Sequence, residues 1–236
     1  MKQRLLVLAV FLLLASAHAQ MPMGGITVSV SGGGGTPTAT NACQANGGGA
    51  ANNSISCAFV SSVAASDVLV VGIGFSGSSS TLGVSGCGAT WSTYTITSGT
   101  RAAILGVGTS PTAGACTLTL TSSGGGSGYL EGVGADVSGA AGVDVQSVAL
   151  AGTHGALTGP SVTTTHATDL ILGFLLDVTV SGGSTAYTAS GSYAILKQGN
   201  YGVAVVKYSA TATGSYAPTV TYSPNGQVYG ATVAMH

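Results

Sequence analysis

The sequence is short of charge. Only 5% of its 236 residues are Asp, Glu, Lys or Arg, against about 25% in an ordinary globular chain. Five Lys and Arg in all cannot supply the basic stripe that a nucleic-acid binder needs. The same scarcity excludes a long helix or coiled coil. Disorder requires low hydrophobicity and high net charge, whereas 45% of this chain is hydrophobic and its formal charge is −1. Aromatics are few, at 6%, with Trp91 the single tryptophan. No repeat of fixed period is evident, which speaks against a solenoid or propeller. What is abundant is glycine, 39 residues, too irregularly placed for collagen. With Ser, Thr, Ala and Val it makes a β-prone composition.

The N-terminus reads as an export signal. Lys2 and Arg4 precede an apolar run from Leu5 to Ala17, and Ala17-His18-Ala19 fits a small-x-small cleavage site, placing the mature start at Gln20. A run of about 13 residues is short for a ~30 Å hydrocarbon core. The stretch Leu170 to Leu176 is broken by Gly173 and bounded by Asp169 and Asp177, so it reads as a buried strand. No membrane span is expected in the mature chain, and a secreted or cell-surface location follows. Cleavage leaves Arg101, Lys197 and Lys207 against six acids, too little charge to steer anionic partners.

Cys43, Cys57, Cys87 and Cys116 behind an export signal read as structural disulfides with three open connectivities. The sequential pairing is favoured, because it closes short loops between neighbouring strands. No C-x-x-C or Cys/His cluster is present, so neither a metal nor a cofactor is expected.

Short β-branched runs alternate with Gly, Ser, Pro and Asn at intervals of about 8–12 residues. They predict strands at Ile26–Val30, Ser54–Val60, Asp67–Phe75, Trp91–Thr97, Arg101–Gly108, Cys116–Thr121, Gly128–Val137, Val143–Ala149, Asp169–Thr179, Tyr193–Lys197, Tyr201–Ser209, Ala217–Tyr222 and Val228–Met235. No window carries a capped helical period, so helix should be almost absent after the signal peptide. The fold class is all-β, a two-sheet antiparallel sandwich of jelly-roll type. Residues 1–19 are the signal peptide, 20–53 an N-terminal strand with a Gly-rich linker, and 54–236 the sandwich domain. Ile26–Val30 could add to a sheet edge of its own domain or of another copy.

Catalytic motifs fare poorly. Gly72-Ile73-Gly74-Phe75-Ser76-Gly77 matches G-x-G-x-x-G, but no helical pattern follows it to receive a phosphate. There is no G-x-S-x-G elbow. A triad of a serine, His166 and an Asp is the one hydrolase arrangement left open, with Asp169 the acid three residues on, and an exposed loop histidine is the plainer reading. Glu131 and Asp136 lie five apart and point to opposite faces of one strand. The sequence therefore argues against an enzyme. Asn52-Asn53-Ser54 is a glycosylation sequon.

Tyrosine is the informative oddity. Seven of nine fall at Tyr187, Tyr193, Tyr201, Tyr208, Tyr216, Tyr222 and Tyr229, about one per strand or turn. Such spacing can align rings on one face of a meander, and Tyr201, Tyr208, Tyr216 and Tyr222 are the candidate ligand-binding residues. The competing reading is that tyrosine is simply a favoured strand residue.

The segments Asp67-Val68-Leu69-Val70-Val71, Trp91, Asp136-Val137-Ser138-Gly139, Asp144-Val145, and Thr163–Thr165 leading into Asp169-Leu170-Ile171-Leu172-Gly173 carry a likeness. Together with the last strand ending at Met235, they resemble secreted bacterial β-sandwich domains of jelly-roll or concanavalin-like type. The resemblance implies an accessory or adhesion module and assigns no catalytic residue. The expected function is an exported binding or adhesion protein whose partner is a glycan or another surface component. The alternative is a structural subunit that joins copies of itself into a fibre or coat by strand exchange.

Overall fold

The computed structural model describes residues 35–47, 54–77, 81–98, 101–123, 128–153, 155–178, 187–199, 202–222 and 226–236. The expected export signal, the expected strand at Ile26–Val30 and Asn52 lie outside them. The first half of the chain forms β1 (Thr38–Asn46), β2 (Ser54–Ala58), β3 (Val68–Phe75), β4 (Thr81–Gly86), β5 (Thr90–Ser98), β6 (Arg101–Thr109), β7 (Thr117–Ser123) and β8 (Leu130–Ser138). The second forms β9 (Val143–Gly152), β10 (Gly155–Thr158), β11 (Val162–Thr163), β12 (Leu170–Asp177), β13 (Tyr187–Ala189), β14 (Ala194–Gln198), β15 (Val203–Ser209), β16 (Ser215–Tyr216), β17 (Thr219–Tyr222) and β18 (Val228–Met235). All pairings are antiparallel, and no helix occurs among the described residues.

Two five-stranded sheets, β1-β8-β3-β6-β5 and β14-β15-β12-β18-β9, face each other. Between them lies the largest core: Val68, Val70, Leu105 and Val133 from one sheet meet Leu172, Phe174, Val205 and Val233 from the other. The outer face of each is covered by a smaller sheet, β2-β7-β4 over the first and β10-β17-β13 over the second, with β11-β16 beside the latter. A β-sandwich is present, thickened to four layers. This layering explains why β3 and β12 are buried at every position. Even-numbered Val68 and Val70 face the central core, while odd-numbered Leu69, Val71 and Ile73 face the outer sheet. A strand buried on both sides loses the hydrophobic alternation of a half-exposed one.

The two halves repeat one topology. Replacing β1, β8, β3, β6 and β5 by β9, β18, β12, β15 and β14 turns one large sheet into the other, and β2-β7-β4 becomes β10-β17-β13. Register agrees too. Val68 pairs with Val137 as Leu170 pairs with Met235, and Leu69 pairs with Asp136 as Ile171 pairs with Ala234. Both edge strands carry a bulge at the same place, with Thr40 extra between Ala39 and Asn41, and Asp144 extra between Val143 and Val145. Gly132 and Gly230 are equivalent, and both admit the outer layer. A Cβ on Gly132 would overlap Leu120, and one on Gly230 would sit 2.7 Å from Pro160 Cδ. The chain thus holds an internal structural repeat, although not one of fixed period. The interval is 102 residues from Val68 to Leu170 and 98 from Val137 to Met235, so loop-length differences destroy any fixed period.

One further expectation changes. The linker assigned to 20–53 contains β1, a full edge strand paired along its length with β8. Cys43 on β1 is bonded to Cys57 on β2, and Cys87 after β4 to Cys116 before β7, the sequential pairing expected. The first bridge staples the edge strand to the outer sheet, and loops of this length are worth roughly 3 kcal/mol each. Two buried disulfides suit an oxidising compartment. Among the described residues, no helix is long and apolar enough to cross a membrane.

Candidate functional site

The predicted tyrosine ladder is only partly assembled. Tyr201 lies outside the described residues. Tyr222 is not on an exposed face: it is 1% exposed, stacks on Tyr187 with centroids 4.4 Å apart, and donates its hydroxyl to Asp177 Oδ2. It shares its face of β17 with Val220, two residues earlier, so strand periodicity turns it inward with that core residue. Tyr208 and Tyr216 do come together, and they recruit Tyr193. Ring centroids are 5.4 Å apart for Tyr193–Tyr208 and 5.6 Å for Tyr208–Tyr216, both tilted. The three half-buried rings pack on a small apolar cluster of Val162, Ile171, Ala210 and Ala234. The Tyr216 hydroxyl donates to Ala212 O at 2.6 Å. Burial, and then the neighbouring phenols, push the Tyr193 hydroxyl up to about 12, so all its chemistry is that of a neutral phenol. The result is a contiguous surface of three rings, in which the Tyr193 hydroxyl is buried without a hydrogen-bond partner.

A second group forms at the β8–β9 end of the second half. The bulge aims Asp144 away from the ladder, where its oxygens accept from Thr165 N–H at 2.6 Å and Thr165 Oγ1 at 2.5 Å. His166 Nδ1 lies 3.4 Å from Asp144 Oδ1, and its ring stacks on that of His236 at 4.1 Å. His236 is fixed by its backbone, its N–H donating to Gly142 O at 3.2 Å and its carbonyl accepting from Ala141 N–H at 2.5 Å. Asp144, His166 and His236 each offer one ligand atom, all within 4.8 Å of one another. Asp169, fully buried, completes the group. Its carboxylate lies against that of Asp144, and no donor reaches either oxygen.

Electrostatics divides these two acids. Burial pushes Asp144 up, but the Thr165 donors, Asp169 and His166 together hold it below the ordinary carboxylate value. Burial and then the Asp144 carboxylate push Asp169 up to about 7. Burial and His166 push His236 down, against a smaller upward pull from Asp144.

No family model, curated protein or solved structure matches the chain.

His166 does meet an acid, though not the one nearest in sequence. The acid beside His166 is Asp144, not Asp169. The hydroxyl beside its ring belongs to Thr165, 3.2 Å from Nδ1, and is already spent on Asp144. Gly72 and Gly74 of the G-x-G-x-x-G match lie within β3, followed by no helix among the described residues.

The remaining acids also meet across strands. Asp136 accepts from Asn41 Nδ2 at 3.1 Å and contacts Asp67, which in turn accepts from Ala64 N–H at 2.6 Å. Glu131, on the central-core face of β8, is pushed up to about 9 by burial and then by the charge of Asp177.

Proposed function

We propose that the protein is an exported, non-catalytic binding module that attaches to a surface carbohydrate through Tyr193, Tyr208 and Tyr216. The observation that carries this reading is the unbroken run of three half-exposed rings on the outer layer of the second half. Sugars present C–H faces that lie on aromatic rings and hydroxyls that bond to phenol edges, and tyrosine offers both at low entropic cost. Low surface charge fits a neutral ligand better than an ionic one. The two disulfides are compatible with a location outside the cell. The fibre alternative draws no support from β1, the strand that occupies the sheet edge, because Cys43–Cys57 ties it to its own chain.

The test is binding of the mature protein to an array of cell-surface polysaccharides. Tyr208→Ala with Tyr216→Ala removes two adjacent contacts of about 1 kcal/mol or more each, so affinity should fall about 10-fold or more. A double variant that binds as wild type, or an array on which the wild type binds nothing, defeats the reading.

A further inference from the structure

We propose that Asp144, His166 and His236, backed by Asp169, form a binding site for a divalent transition-metal ion of the Zn²⁺ class. The inference is separate from the tyrosine face.

Its first support is the donor set. Two imidazoles and a carboxylate within 4.8 Å are the borderline nitrogen and oxygen ligands such ions select, whereas Ca²⁺ and Mg²⁺ want oxygen alone. His166 is about half exposed, with its side chain 49% accessible. The site therefore opens to solvent on the His166 side. The second support is Asp169. A fully buried carboxyl beside Asp144, with no hydrogen-bond partner on either oxygen, leaves an unsatisfied polar side chain at the cluster. The buried Nδ1 of His236 likewise has no hydrogen-bond partner. The structural partners of Asp144 already have the form of an outer shell, with Thr165 donating twice to orient the carboxylate.

The third support is internal to the molecule. The first half closes the equivalent corner of the same fold without these ligands. Register places Asp67 where the second half has Asp169, Ser138 where it has His236, and bulged Thr40 where it has Asp144. There the corner is held by a 2.9 Å hydroxyl contact between Thr38 and Ser138, and by Asn41 on Asp136. The topology therefore does not need two histidines and an edge-strand carboxylate at this corner. Their convergence, from positions 144, 166 and 236, calls for a role that the other corner lacks.

The experiment is calorimetric titration of ZnCl₂ into residues 20–236 carrying no histidine tag, with CaCl₂ and MgCl₂ run in parallel. One equivalent of Zn²⁺ should bind, neither alkaline-earth ion should compete, and melting should shift upward with Zn²⁺ by linkage. His166→Ala, at a half-exposed position that the fold tolerates, should weaken binding at least about 10-fold. His154→Ala, outside the described residues, should leave it unchanged. Imidazole resonances of His166 and His236 should broaden or shift together on titration. Absence of saturable Zn²⁺ binding overturns the proposal, and so does binding that survives His166→Ala in a variant whose melting matches wild type.

Discussion

Every acid in this chain is withdrawn from the surface. Asp67, Glu131, Asp136, Asp169 and Asp177 are buried, and the Asp144 side chain is 5% exposed. Asp67 contacts Asp136, Asp144 contacts Asp169, and Glu131 feels Asp177. Sequence spacing dismissed such pairs within one strand, correctly for Glu131 and Asp136, which face opposite sides of β8. The partners came instead from other strands, which spacing along one strand does not reveal.

A stability profile opposite to ordinary acid denaturation follows. Glu131 holds its proton in the folded state up to about 9, whereas its unfolded carboxyl ionises near 4.5. Between those values unfolding releases a proton, so stability falls by up to about 1.4 kcal/mol per pH unit and is flat outside the window. Asp136, raised to about 6 from 3.8, steepens the lower part. Glu131→Gln keeps the shape and removes the ionisation. Its stability relative to wild type should rise between about pH 5 and about pH 8, as read by urea unfolding. Parallel wild-type and variant profiles would refute a buried neutral Glu131.

At the scale of elements, the long buried strands were legible and the edges and outer layer were not. β3, β6, β8, β12 and β18 carry dense apolar runs that announce themselves. β1 reads TATNACQAN, and its bulge at Thr40 breaks the period of two on which recognition depends. β10 and β13 have four and three residues and borrow their order from β17. Glycine abundance has its account here. Gly230 is where Pro160 of the outer layer reaches β18, so a side chain would push a rigid ring away from a central strand. Gly230→Ala should cost about 1–3 kcal/mol in chemical denaturation, as overpacking does. A change under about 0.5 kcal/mol would show that the layer has slack.

The tyrosines show the same limit. Tyr208 and Tyr216 were legible as a pair from density alone, but Tyr193 joined them because of the β14–β15 pairing, and Tyr222 left because of its phase with Val220. The Asp144, His166 and His236 group carried no local signal, since 22 and then 70 residues separate its members.

At the scale of the whole molecule, the central core is shared by the two halves, yet both disulfides sit in the first. A shared core couples unfolding. Replacing Cys43 and Cys57 together with Ser should lower stability by about 2–4 kcal/mol. The loss should reach both halves in a single transition. Trp91 fluorescence reports the first half, and near-ultraviolet dichroism of the stacked Tyr187–Tyr222 pair reports the second. Coincident midpoints are expected, and separated ones would mean that each half is its own folding unit.

Matching strand order, register and bulge position leave a chain that behaves as a fused homodimer. Residues 139–142 are the tether, and the face between the large sheets stands where two separate copies would meet. Fusion frees each copy from having to serve both sides of an axis. One copy could take on cross-links while the other took on histidines, a division of labour closed to two identical subunits.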